Sequence, residues 1–101
     1  MFVVVLTYVK PLPEVDRHMR EHVGFLDQHY ADGTFIASGR QVPRTGGVIL
    51  ARAASKEALT AIMERDPFCQ RGVATFTIIE FRTSQHQPAF AAFADADTAR
   101  R

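Results

Sequence analysis

The chain switches between two hydrophobic rhythms. Residues 2–9, FVVVLTYV, are β-branched or aromatic almost throughout and stop at Lys10-Pro11, which predicts a strand. Apolar residues fall on both of its alternating faces, the pattern of a central strand covered on two sides. From Pro11 to Gly33 the period becomes helical. Val15, Met19, Val23, Leu26 and Tyr30 share one stripe, while Asp16, Arg17, Arg20, Asp27 and Gln28 occupy other faces. Pro13, Glu14 and Asp16 suit a first turn, and Gly33 suits a C-terminal cap.

Residues 34–39, TFIASG, and 48–53, VILARA, predict two strands joined by the turn RQVPRTGG. Residues 55–65, SKEALTAIMER, predict a second helix, capped by Ser55, with Ala58, Leu59, Ile62 and Met63 as its apolar stripe. Asp66-Pro67 ends it, because proline drives the preceding residue away from helical angles. Residues 73–81, VATFTIIEF, predict a last strand, again apolar on both faces.

Strand, helix, strand, strand, helix, strand, joined by right-handed crossovers, gives an α+β ferredoxin-like βαββαβ fold. The sheet is then four-stranded and antiparallel, with both helices on one face. Phe76 and Ile78 point opposite to Ile79 and Phe81, so one apolar set stands on the uncovered face. A bare apolar sheet seeks a partner, and a homodimer packed through that open face is expected, a dimeric α+β barrel. Residues 1–82 are expected to form the folded domain. Residues 83–101 form a C-terminal tail, docked or flexible, with Phe90 and Phe93 as its docking points.

Composition narrows the partners. Lys and Arg number 12 against 11 Asp and Glu, and neither sign forms a block, so nucleic acid is not an expected partner. The longest apolar run falls far short of the roughly 20 residues that span a bilayer, so no membrane partner is expected. No basic stretch or cleavage site marks a secretory signal. One cysteine, Cys69, cannot form an internal disulfide, and a reducing cytoplasm is the natural setting.

The candidate chemistry lies on the first helix, which carries His18, His22 and His29 within about 40° of one another at the border of the apolar stripe. His22 is nearest the stripe's centre and is the one expected to be partly buried. With the two helices antiparallel and side by side, the end of the second approaches the first half of the first. Asp66 is thereby brought towards His22. A carboxylate beside an imidazole fixes its tautomer and strengthens it as a general base. It also explains an anion at a helix C-terminus. The dipole cost there is about 0.3–1 kcal/mol, and a charge-assisted hydrogen bond, worth roughly 1.5–3 kcal/mol, offsets it.

The segments EHVGFLDQHYADGTFIASG and RDPFCQRGVATFTIIEF, with the pattern of the first strand, resemble the YCII-related family over most of residues 1–82. The resemblance implies a small dimeric ferredoxin-like protein with a His–Asp active site, which falls on His22 and Asp66. It also implies dehydrochlorinase-like chemistry in some relatives and no assigned reaction in most. One departure is Arg40. The family often has proline after the small-residue–Gly step that here is Ser38-Gly39, and an arginine in its place supplies a cation for an anionic ligand.

Two functional classes follow. In the first, a pocket lined by His22, Asp66, Ser38, Gly39 and Arg40, with Phe68 as a wall beside Asp66, binds a small acidic or phenolic metabolite. His22 moves a proton in a lyase or isomerase reaction that needs no cofactor and no metal. In the second, the same fold is a ligand-binding or accessory module, and His22–Asp66 is a structural pair. His18 and His22 stand at metal-ligand spacing, but no zinc-protease motif accompanies them, and solvent-edge histidines account for the spacing. His29 is expected at the surface, near the helix end. Cys69 reads as a small buried hydrophobe rather than a nucleophile, and Arg44-Thr45-Gly46-Gly47 as a hairpin turn.

Overall fold

β1 (Phe2–Tyr8) carries Phe2, Val4 and Leu6 on one face, all buried, and Val3 and Val5 on the other, half-buried. That two-sided apolar character places it inside the sheet. The computed structural model describes residues 1–95. In it β1 pairs antiparallel with both β3 (Gly46–Ala51) and β4 (Ala74–Glu80), and β2 (Phe35–Arg40) joins β3 at the edge, in the order β2-β3-β1-β4. This is the α+β ferredoxin-like arrangement. β3 begins at Gly46 rather than at the expected 48, and only glycine fits there. A Cβ at Gly46 would stand 1.8 Å from the Leu6 carbonyl oxygen.

The first helix is not continuous. α1 (Leu12–Arg17) and α2 (Met19–Ala31) are separated at His18, whose backbone (φ −108, ψ 9) leaves helical angles. The expected apolar stripe is also displaced. On α2 the buried residues are His22, Phe25 and His29, about a quarter turn from the predicted centre, whereas Val23 and Tyr30 are exposed. Met19, Val23 and Leu26 line a cavity, and Met19 and Leu26 also pack against the margin of the core. As expected, Ser55 caps α3 (Lys56–Met63), its Oγ accepting from the Ala58 N–H at 3.0 Å. Leu59 and Met63 are buried, and Ala58, placed on that stripe from sequence, is exposed.

The core lies between the helices and one sheet face, with Val4, Leu59 and Met63 wholly excluded from water. Each such side chain contributes roughly 1.5–3 kcal/mol. On the opposite face Val48 and Ile79 remain substantially exposed, as does Phe81 just past β4. Beyond β4 the chain folds back on the end of the sheet where β3 stops. Thr83 N–H donates to Asp95 at 2.6 Å, Arg52 donates to the Ala92 carbonyl at 3.2 Å, and the Arg52 guanidinium lies over the Phe93 ring. Phe90 and Phe93 pack together at 5.6 Å. Residues 96–101 of the expected tail lie outside the described residues. Among the described residues no helix is long and apolar enough to cross a membrane.

Candidate active site

Asp66 stands in a turn that the sequence reading closed too early. α3 stops at Met63, and Pro67 then starts a further short helix, α4 (Pro67–Gln70), with Asp66 in extended conformation (φ −61, ψ 126) as its N-cap. Its Oδ1 accepts from the Phe68 N–H at 3.0 Å. The carboxylate therefore meets the positive end of a helical turn, and the dipole cost expected from sequence does not arise. Gly72, at φ +70, turns the chain out of α4 towards β4, a conformation an L side chain rarely adopts.

The same Oδ1 lies 2.8 Å from His22 Nδ1. An ionised carboxylate only accepts, so Nδ1 carries the hydrogen and Nε2 is the ring nitrogen left for other work. Asp66 is wholly buried, and its Oδ2 has no hydrogen-bond partner among the described residues. Beneath the imidazole lies Phe68, stacked at 3.9 Å between ring centroids and 5° between planes. The ring is thus fixed by one directional bond and one flat contact.

His22 borders a cavity of about 270 Å³. Ser38, Gly39, Arg40 and Phe68, all expected at the site, line it too, whereas Asp66, expected in the lining, does not border the cavity and meets it only through His22. Ser38 Oγ and Tyr30 Oη are hydrogen-bonded at 2.5 Å, which ties β2 to the end of α2. Two further lining residues with polar side chains, Tyr8 and Arg44, were not expected there. Tyr8 continues the inward alternation of Val4 and Leu6 to the end of β1, a signal the strand pattern already contained. Arg44 sits in the β2–β3 hairpin turn, and a hairpin at the end of two strands is well placed to border whatever opens there.

Other candidates fall outside. Neither His18 nor Cys69 lines the cavity. His18 Nδ1 lies 3.9 Å from Glu21. Burial pushes the Cys69 thiol up to about 12, with the Asp66 charge adding to the effect, so the thiolate needed for nucleophilic attack is suppressed. His29, expected at the surface, is buried. Its Nδ1 lies 2.9 Å from Asp32 Oδ2, and the rings of Phe25 and Phe35 stand 4.9 and 5.2 Å away. β2 folds back over the last turn of α2 and covers it. Among the described residues no group of three His, Cys, Asp or Glu side chains is placed to hold a metal.

Compared with known families, residues 1–82 match the YCII-related domain. The chain belongs to the YCII-related family. Among curated proteins no sequence matches this family member. Among solved structures it is similar to 5-chloro-2-hydroxyhydroquinone dehydrochlorinase from Burkholderia phenoliruptrix, solved in complex with 2,5-dihydroxybenzoquinone. The two share 17% identity with a TM-score of 0.68, covering 82% of this chain and 95% of that one. At that identity the likeness establishes the fold, which in the neighbour is of the dimeric α+β barrel type.

Proposed function

We propose that this YCII-family protein is a cofactor-independent acid–base enzyme of the lyase or isomerase type, acting on a small acidic or phenolic metabolite. One observation carries the proposal. A carboxylate-fixed imidazole, His22, borders a largely apolar cavity together with Arg40 and Arg44. That is the combination of an oriented base and a few convergent polar groups in an apolar pocket.

In an elimination, His22 Nε2 takes a proton from the substrate. The electron pair of the broken bond becomes a new double bond, and the leaving group departs with its own bonding pair as an anion. In an isomerisation the same proton returns at another carbon. Asp66 stabilises the imidazolium formed in between and keeps the ring from rotating. The dehydrochlorination performed by the structural neighbour belongs to the first type and suggests chloride as a leaving group. The open sheet face, with Val48 and Ile79 exposed, supports a homodimer in which a second copy covers it.

The test is chloride release from 5-chloro-2-hydroxyhydroquinone and a panel of chlorinated phenols and carboxylates, with His22→Ala and Asp66→Asn beside the unaltered protein. Loss of the general base should lower turnover by about 10²-fold or more. Turnover within about twofold of the unaltered protein would remove His22 from the chemistry.

A further inference from the structure

The carboxylates and guanidiniums around this cavity are unevenly shared. Arg40 and Arg44 line it, and no aspartate or glutamate does. Arg44 is already engaged. Its Nη2 donates to Asp16 of α1, and its guanidinium carbon lies 5.8 Å from the centroid of the Tyr8 ring. Asp16 lies outside the lining and its side chain is about half exposed, whereas that of Arg44 is three-quarters covered. The pair therefore bridges α1 and the β2–β3 hairpin beside the cavity, with only its cation bordering the interior.

We infer that Arg44 reads the charge of the ligand, and that the ligand is a single-ring carboxylate or phenolate whose oxygens displace the Asp16 carboxylate from that guanidinium. This rests on the acid–base reading for its choice of cavity. Three features carry it. A guanidinium fork matches a carboxylate in two parallel bonds, and Tyr8 beneath it limits how far it moves. An exposed ion pair is weak and screened, so exchanging Asp16 for another anion costs little, while the same contact inside the cavity meets less water. Met19, Val23, Leu26 and Phe68 offer apolar walls for a ring, and the volume lies at the small end for ligand sites. Arg40, at the end of β2, adds to the field of the same sign.

Calorimetric titration of the full chain with 2,5-dihydroxybenzoate and 2,5-dihydroxybenzamide, which differ in charge and hardly in shape, tests the inference. The benzoate should bind at least about tenfold more tightly than the amide, and Arg44→Gln should abolish that preference. Asp16→Asn should tighten benzoate binding roughly two- to fivefold, because the internal competitor is gone. Glu14→Gln removes the same charge from the same helix and should change it far less, which separates competition at Arg44 from a general change of field. Equal binding of the two compounds, binding of neither, a preference that survives Arg44→Gln, or weaker binding in Asp16→Asn would each overturn the inference. The two proposals fail separately. If turnover depends on His22 while the amide binds as well as the benzoate, only the charge-reading role is lost. If the preference tracks Arg44 while His22→Gln turns over normally, only the acid–base reading is lost.

Discussion

α2 carries two buried imidazoles, each bound through Nδ1 to an aspartate at nearly the same distance, 2.8 Å for His22 and 2.9 Å for His29. By contact geometry alone they are twins. Their surroundings separate them. The partner of His22 comes from 44 residues away, is wholly buried, and is itself pinned by the Phe68 N–H. The partner of His29 lies three residues away in the same turn, is half exposed, and also accepts from the Thr34 N–H at 3.0 Å. His22 borders the apolar, cation-lined cavity, whereas His29 borders a groove with Glu21, Gln28 and Arg65, where both signs of charge are present. A buried His–Asp bond is thus not a site in itself. A rigid distant partner and a cavity of one character distinguish the pair proposed to act on a ligand from the pair that closes a helix.

The comparison breaks most visibly in turnover. His22→Gln should lower chloride release, or the turnover of any other substrate identified, by about 10²-fold or more, while His29→Gln should leave it within about twofold. Comparable losses in both variants would mean that the two imidazoles do not differ as described. The next effect is on stability, read by urea unfolding. Asp66→Ala loses a helix cap and a buried charge-assisted bond and should cost about 2–3 kcal/mol. Asp32→Ala loses two local bonds made by a half-exposed side chain and should cost less, about 1 kcal/mol.

The smallest effect sharpens the contrast around Asp66. The Cys69 thiol ordinarily ionises near 9.0, and in the fold its value is pushed up to about 12. Below pH 9 both folded and unfolded chains hold that proton, so the contribution to stability is fully present there. Above it the unfolded chain ionises and the folded one does not, so stability falls as pH rises towards 12. Cys69→Ala should remove that part of the decline in urea midpoints between pH 9 and 10.5 and leave the neutral range unchanged. An identical slope in the two proteins would show that the thiol is not shielded.

Much of this was readable from the chain. The two-sided apolar runs of β1 and β4, the Ser55 cap and the Gly33 stop were enough for the fold, because each is a local preference that agrees with the global one. The His22–Asp66 contact was legible because the strand–helix order returns the chain after the second helix to the side of the first, where α4 packs on α2. The family resemblance also placed a His–Asp pair on those two residues. The break at His18 was not, since neither glycine nor proline stands there, and the buried face of α2 was misplaced with it. Apolar residues such as Met19 and Val23 cover a cavity as readily as a core, so periodicity cannot tell the two apart. The burial of His29 depends on Phe35, ten positions after Phe25 in sequence, yet packed against it in space.

The placing of Asp66 has a consequence for comparing relatives. Its Oδ1 serves the backbone of its own turn as well as the imidazole, so the turn alone is sufficient reason to keep an acidic residue before Pro67-Phe68. A relative that preserves Asp-Pro-Phe has preserved a bend. On the proposed acid–base reading, the letter that reports inherited chemistry is the histidine on the neighbouring helix, and a chain that has exchanged it for an apolar residue while retaining the aspartate would have kept the scaffold and given up the proposed base.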